Sequence, residues 1–207
     1  MAIVDTLQPE SYALPMQPST EKILIDQARD GRDHACTQLV EAHSEKIIGL
    51  AWRLVGQRDV AEEIAQEAFL RFFQSIHTFR GESTVGTWLY RTTTRLAIDH
   101  LRRERLKRKI FFFKGRDPDL PDPVETYPDS SGNPQENLVA AETGARMQQV
   151  LERLPARQKA VFVLRHMEQL SLKEIAATLD LELGTVKAHL HRAVNQFRRE
   201  YEAGEKE

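Results

Sequence analysis

The sequence predicts an all-α protein with two small helical domains. Apolar residues recur at the three- and four-residue spacing of amphipathic helices through most of the chain. Convincing strand-like alternation of apolar and polar residues is absent from the sequence. Prolines, serines and acidic residues crowd one central segment, which predicts a flexible acidic linker. The expected divisions are a mobile N-terminal arm at 1–18, a helical domain at 19–106, the linker at 107–137 and a second helical domain at 138–203.

Composition narrows the functional classes. The 207 residues carry a formal net charge of −2, so total charge alone does not indicate a nucleic-acid partner. The charge is segregated, because 102–109 is almost wholly basic, whereas 117–136 contains acidic residues and no lysine or arginine. The single cysteine, Cys36, excludes an intramolecular disulfide and is expected to fill the core. No apolar run approaches about 20 residues and no signal pattern is present, so we expect a cytoplasmic protein without membrane insertion.

The first domain is expected to contain four helices. Their predicted ranges are 19–28, 33–55, 59–76 and 87–101, the last continuing to the basic run. Gly31 and Gly56 mark the ends of the first two helices. Asp59 and Glu62 give the third helix a start that resembles a capping box. A polar loop with glycines, 80–86, leads into the fourth helix.

The second domain shows the pattern of a helix-turn-helix. Helical periodicity resumes at Leu138, and Pro155 precedes an apolar stretch, 160–164, that predicts a buried helix. Ser171 and Glu174 form a capping box at the start of a short helix. Residues 180–184 interrupt that helix, and Thr185 is expected to cap the next one.

The last helix is expected to present a basic face. Val186, Leu190 and Val194 lie on its inner side, while the outer side carries Lys187, His189, His191, Arg192, Arg198 and Arg199. A basic second helix is typical of insertion into the major groove of DNA. The alternative interpretation is a helical hairpin with a solvated basic face.

The third helix carries an acidic and amide stripe formed by Asp59, Glu62, Glu63, Gln66, Glu67 and Gln74. The same helix holds Phe69, Leu70, Phe72 and Phe73, more large apolar residues than a small domain can bury. An exposed aromatic side chain flanked by acidic residues indicates a protein partner with a basic surface. A merely solvated acidic face is the alternative.

The fourth helix and the loop before it combine basic and aromatic residues. Arg91, Arg95, Asp99 and Arg102 form one stripe that can hold phosphates. Phe79, Trp88 and Tyr90 lie beside the loop, and aromatic rings next to positive charge are typical of single-strand capture. For Trp88, a place in the core is the alternative.

Three motifs together resemble the extracytoplasmic-function group of the sigma-70 family. They are DVAEEIAQEAF (59–69), FRGES (79–83) with TWLYR (87–91), and the segment from LP (154–155) to GTVK (184–187). The resemblance covers about 21–105 and 138–199 in the family's order. It implies a factor that binds core RNA polymerase, directs it to promoters and helps open the minus-ten DNA, within a stress or envelope-response regulon.

The resemblance also implies roles for individual residues. The core-polymerase contacts would be Asp59, Glu62, Glu63, Gln66, Glu67 and Phe69. The minus-ten contacts would be Phe79, Arg80, Gly81, Glu82, Ser83, Thr84, Trp88, Arg91, Arg95, Arg102 and Arg103. The minus-thirty-five contacts would be Ser171, Thr185, Lys187, Ala188, His189, His191 and Arg192.

The implied partners are the clamp helices and flap of core RNA polymerase, promoter DNA and an anti-sigma factor, with a monomeric free chain. A stand-alone helix-turn-helix regulator is the alternative of another class. The sequence shows no metal-ligand pairing, phosphate loop or nucleophile–base pattern, so we expect no metal, no cofactor and no enzymatic activity. Two features depart from common patterns: Asp180 stands where many such turns have glycine, and two histidines occupy the reading face. Protonation of those histidines predicts DNA binding that strengthens towards pH 6.

Overall fold

The computed structural model describes residues 18–113, 144 and 146–203, and every regular element in these ranges is an α-helix. The helices are α1 (Pro18–Arg29), α2 (Asp33–Val55), α3 (Arg58–Ser75), α4 (Val85–Phe113), α5 (described over 146–153), α6 (Ala156–His166), α7 (Leu172–Leu179) and α8 (Leu183–Ala203). The predicted all-α fold is confirmed. Of the predicted arm at 1–18, the structure describes only Pro18, which begins α1 rather than belonging to the arm, and the acidic segment at 117–136 lies outside the described residues. None of the described helices combines the length and the apolar character that crossing a bilayer requires.

The first four helices enclose an apolar cluster centred on α2. Leu39 and Ile47 of α2 are fully buried against Phe72 of α3 and Leu89 of α4. Side chains at every third or fourth position of α2 face inwards, which is why the amphipathic pattern located this helix to the residue. Cys36 is only partly buried at the edge of this cluster.

Helix α4 is longer than predicted. It runs from Val85 to Phe113, so the predicted domain boundary after residue 106 falls inside a helix, and residues 107–113 are helical rather than part of the linker. The basic run consists of good helix formers without glycine or proline. Local ion pairs support it, with 2.8 Å between Lys107 Nζ and Glu104 Oε1.

The last four helices pack around α6. Residues 159–164 are all buried, which confirms the predicted buried helix. Lys159 belongs to this set, and burial lowers the pKa of its ammonium group to about 8. The capping box is confirmed, because Ser171 Oγ accepts from the Glu174 N–H and the Glu174 carboxylate accepts from the Ser171 N–H.

The turn between α7 and α8 differs from prediction at one residue. Thr185 is not the cap of α8, because that helix begins at Leu183 and the Val186 N–H already donates to the Glu182 carbonyl at 3.1 Å. Asp180 ends α7 in the left-handed conformation, with φ 55° and ψ 54°. Aspartate is a short polar residue, and after glycine such residues tolerate the left-handed conformation best.

The two helical domains pack against each other. Ala97 and Ile98 of α4 share one apolar cluster with Met147 and Leu151 of α5, and α4 also contacts α6 and α7. Glu168, in the turn after α6, is the polar centre of this contact. Its carboxylate accepts from Arg53 Nη1 at 2.7 Å and from Tyr90 Oη at 2.8 Å. We call this packed arrangement the closed form.

Candidate nucleic-acid interface

The acidic stripe lies on the outer face of α3. Asp59, Glu63 and Gln66 are exposed at helical spacing and share this face. Glu62 and Glu67 are partly exposed, and each pairs with an arginine four residues away: Arg58 Nε lies 3.1 Å from Glu62 Oε1 and Arg71 Nε lies 2.7 Å from Glu67 Oε1. These exposed pairs stabilise the helix only slightly, so the carboxylates can exchange partners at low cost.

Phe69 does not lie on the acidic face. Its side chain is 8% exposed and packs in the core of the first domain. Residues 65, 68, 69 and 72 form the inner stripe of α3, so helical spacing turns Phe69 away from the acidic residues. Leu70 is the large apolar residue that α3 exposes, at 52%. The structure therefore does not present the Phe69 side chain for the polymerase contact that the resemblance implies.

The loop between α3 and α4 is buried where it begins and exposed at its tip. Phe79, a predicted minus-ten residue, is 9% exposed, and its ring centroid lies 5.5 Å from that of Phe72, so its ring packs in the core. Arg80, Gly81 and Glu82 at the tip are exposed. Gly81 has φ +71°, a conformation that side-chain-bearing residues rarely adopt.

Thr84 connects this loop to α4 as an N-terminal cap. Its Oγ1 accepts from the Thr87 N–H at 3.1 Å, which satisfies one of the free donors of the first turn. Ser83 is partly exposed beside it.

A groove of about 380 Å³ lies between α3 and α4, close to the loop. Its lining consists of Arg71, Gln74, Ser75, Trp88, Thr92 and Arg95. Trp88 is partly exposed there while its ring also meets Phe72 edge-on, at a centroid distance of 5.4 Å. The core interpretation of Trp88 thus holds in part, and its contact with DNA stays a prediction. An indole beside two guanidinium groups offers a stacking surface and charge for a backbone.

Sequence reasoning missed Arg71, Gln74 and Thr92 as members of this groove. The signal was present, because 71 and 74 lie on one face of α3, while 88, 92 and 95 lie on one face of α4. Nothing in the sequence alone showed that these two faces adjoin.

The basic stripe continues along the exposed side of α4. Arg91, Arg95, Arg102 and Arg103 are all exposed, as predicted. Arg102 pairs loosely with Asp99, 3.9 Å apart, and Arg103 Nε donates to the Asp99 carbonyl at 3.3 Å. Arg95 Nη2 lies 4.0 Å from Asp180 Oδ2 of the helix-turn-helix, so the closed form draws one predicted minus-ten residue towards the second domain.

The helix-turn-helix presents a partly exposed face on α8. Lys187, His191 and Arg192 are exposed and Ala188 is partly exposed, and Thr185 is exposed in the first turn. Ser171 uses its own N–H inside the capping box, so only its hydroxyl hydrogen is left to donate to a phosphate. Within the described residues, no three His, Cys, Asp or Glu side chains gather as a metal site.

His189 differs from the other predicted reading residues. It is only partly exposed, and its Nδ1 is buried without a hydrogen-bond partner in the described part of the chain. Burial first, and then the positive charges of Arg192 and Arg157, lower the pKa of its imidazole below the ordinary 6.5.

Comparison with known families assigns both domains. The family model for sigma-70 region 2 matches residues 39–107, and the model for sigma-70 region 4 matches residues 145–197. The first match includes the acidic face, the loop and the groove. The second includes α7, the turn and α8 as far as residue 197.

Curated relatives match across both domains. The sigma factor SigW of Bacillus subtilis is 32% identical over 179 residues, which are 85% of this chain and 94% of SigW. The sigma-E factor of Escherichia coli K12 is 30% identical, over 84% of this chain and 90% of its own. SigE of Mycolicibacterium smegmatis is 35% identical over 78% of this chain, which spans only 59% of that protein.

Solved structures show the same fold at lower identity. RpoE of Bartonella quintana, in complex with the anti-sigma factor NepR, matches with a TM-score of 0.60 and 19% identity, over 80% of this chain and 96% of that one. CnrH, in complex with the cytosolic domain of CnrY, matches with a TM-score of 0.60 and 21% identity, over 89% and 98%. With both sigma regions matched in order and a relative covered almost end to end, the chain belongs to the extracytoplasmic-function group of the sigma-70 family, factors that direct RNA polymerase to promoters.

Proposed function

We propose that the acidic face of α3 is the principal contact with core RNA polymerase. Asp59, Glu63 and Gln66 offer an uninterrupted stripe of acceptors, and Glu62 and Glu67 can leave their weak intrahelical pairs for a basic partner. The clamp helices of the largest subunit are the partner that the family resemblance implies. Leu70, exposed beside the stripe, supplies an apolar contact in place of Phe69.

The loop and the groove together form the minus-ten site. The observation that carries this proposal is a groove with one indole and two arginines whose walls, at Ser75 and Trp88, are joined by the loop with the exposed polar tip. A base that leaves the duplex needs a stacking surface or a pocket, and its backbone needs positive charge. Arg91, Arg102 and Arg103 extend the positive surface along α4 for the adjacent phosphates.

The outer face of α8 reads the minus-thirty-five element. Lys187, His191 and Arg192 are placed to meet base edges and phosphates in the major groove, and Thr185 and Ser171 offer hydroxyl donors to the backbone. Contact with the polymerase flap belongs to the same domain in this proposal.

An anti-sigma factor is the further partner we infer. RpoE and CnrH, which share this fold, were solved with proteins bound, in the first case a named anti-sigma factor. A stress or envelope-response regulon and a monomeric free chain complete the proposal.

Transcription by sigma-free core polymerase on sheared genomic DNA tests the proposal. With the chain added, we expect new RNA start sites that share two upstream elements. Duplex binding by the chain alone, without new start sites, would favour the stand-alone regulator instead.

Single substitutions distinguish the surface that binds core polymerase from the surface that binds the minus-thirty-five element. Glu63→Arg on the acidic face should weaken core binding at least about tenfold, since it replaces attraction by repulsion at a basic partner. Glu45→Arg, an equally exposed change on α2, is the matched control and should leave core binding unchanged. Lys187→Ala should reduce minus-thirty-five binding while core binding stays intact.

A further inference from the structure

Helix α1 lies outside the matched region-2 segment, yet it contacts both ends of the loop between α3 and α4. Leu24, Ile25 and Ala28 anchor it in the core of the first domain. The same apolar cluster contains Ile76 and Phe79 at the beginning of the loop and Val85 at its end.

Arg29 holds the beginning of the loop. Its Nε donates to the Ile76 carbonyl at 3.0 Å, and a second guanidinium nitrogen donates to the Phe79 carbonyl. Both carbonyls lie just beyond the last turn of α3, and the Ile76 carbonyl also accepts from the Phe79 N–H at 3.3 Å. Asp26, 2.9 Å from Arg29 Nη1, orients the guanidinium from one turn earlier on α1. The forked geometry of arginine lets one side chain bridge two carbonyls.

Glu21 holds the end of the loop. Its Oε2 accepts from the Val85 N–H, the first residue of α4, at 3.3 Å. Its Oε1 lies 3.5 Å from His43 Nε2, and both side chains are largely buried. A carboxylate at a helix N-terminus satisfies a free donor and complements the helix dipole. Thr84 caps α4 from within the loop, and Glu21 caps it from α1.

We propose that α1 positions the minus-ten loop, with Arg29 and Glu21 as its positioning residues. The two lie eight residues apart, about 12 Å along the helix, and so fix the two ends of the loop at a set separation. The tip, 80–83, is then presented in one arrangement, which reduces the ordering that base capture requires. The inference rests on the proposed role of the loop in capturing a base.

The test uses full-length variants assembled with core polymerase. The DNA is a set of promoter fragments from the start sites that the transcription experiment would identify, with and without single base substitutions in the minus-ten element. The readout is base discrimination, the ratio of open-complex formation on the original and the substituted fragment. A change that only lowers the folded fraction reduces both rates equally and leaves this ratio unchanged.

Arg29→Ala should lower the discrimination ratio about tenfold at the captured position, as expected when two hydrogen bonds that orient the loop are lost. Glu21→Ala should lower it less, because Thr84 still caps α4. Arg29→Lys keeps the charge without the fork and should recover part of the ratio. Lys22→Ala, which removes an exposed charge from the same helix, is the control and should behave as wild type.

Hydrogen exchange gives a second measurement. Amides of 77–87 should exchange faster in Arg29→Ala, while amides of α2 and α8 keep their wild-type rates. A uniform increase would identify general destabilisation and overturn the proposal.

The loop variant Glu82→Ala/Ser83→Ala distinguishes the two ways of failing. If it lowers discrimination and the α1 variants do not, positioning by α1 is wrong and the function of the loop stands. If neither set lowers discrimination, the loop does not capture a base and both ideas are wrong.

Discussion

His189 combines a predicted DNA-binding position with an environment that disfavours the charged imidazole. Burial on α8 disfavours its charged form most, and the positive charges of Arg192 on the same helix and Arg157 of α6 add to this effect. All three influences favour the neutral imidazole, so the pKa lies below 6.5 in the free chain. DNA phosphates favour the charged form, which makes proton uptake and DNA binding linked events.

The expected result is minus-thirty-five affinity that rises on acidification and keeps rising below pH 6.5. The sign follows from the lowered pKa. The affinity begins to rise as the pH falls through the pKa of His189 in the DNA complex, and it stops rising only below the lowered pKa of His189 in the free chain. The rise in affinity should be about three- to fivefold, in line with a partly exposed charge pair. A salt-matched titration of the polymerase complex measures it.

His189→Gln should flatten that pH profile, whereas His34→Gln, at an exposed site on α2, should not change it. A wild-type affinity that does not change with pH, or that stops rising at pH 6.5, contradicts the assignment.

At the scale of elements, the turn between α7 and α8 sets the angle of the reading helix. Ser171 and Glu174 fix the beginning of α7, and hydrogen bonds to Ser171 lower the pKa of the Glu174 carboxyl. Asp180 fixes the other end in the left-handed region, where its N–H and that of Leu181 both donate to the Ala176 carbonyl. Aspartate is acceptable there, and a β-branched side chain is not.

Asp180→Val should therefore destabilise the chain by about 1–2 kcal/mol, while Asp180→Gly changes stability by less than about 1 kcal/mol. Lys173→Val, at an exposed helical site, controls for the helix propensity of valine and should cost about 0.5 kcal/mol. Urea unfolding followed by circular dichroism measures all three. Equal costs for the two valine variants would show that the backbone at Asp180 is not strained.

The elements also show which features a sequence can supply. Periodicity located α2 to the residue, and the capping box located α7, because both signals are local. The length of α4 was missed because proximity to a proline-rich segment outweighed the helix propensity of its basic run. The burial of Phe69 was not predicted because only the assembled core shows which apolar face of α3 is covered. The groove and the α1 contacts join residues 13 to 64 positions apart, and no local pattern records such pairs.

At the scale of the whole molecule, the proposed function requires the two domains to span a greater distance than the closed form allows. The minus-ten and minus-thirty-five elements lie about 25 base pairs apart, or about 85 Å at 3.4 Å per base pair. A compact chain of this length has a radius of gyration of about 17 Å. The proposed function therefore requires the domains to separate on DNA. Residues 114–143 number 30, and a fully extended chain of that length spans up to about 100 Å.

Glu168→Ala should shift the chain towards separated domains. It removes two hydrogen bonds of a largely buried carboxylate, each contributing about 1.5–3 kcal/mol, so the ratio of closed to open form should fall at least tenfold. Small-angle X-ray scattering should record a larger radius of gyration. Glu182→Ala, exposed on the same domain, should scatter as wild type, and an unchanged radius for Glu168→Ala would mean that the apolar contacts alone hold the domains together.

The Glu168 contact joins two parts of one polypeptide, so dilution does not weaken it, whereas capture by polymerase depends on concentration. For any partner that requires separated domains, the apparent affinity is the intrinsic affinity multiplied by the same factor, the fraction of chains that are open. Substitutions at Arg53, Tyr90 or Glu168 would thus change the fraction of open chains. Promoter output at a given level of the factor would change in proportion, without any change to a residue that reads DNA.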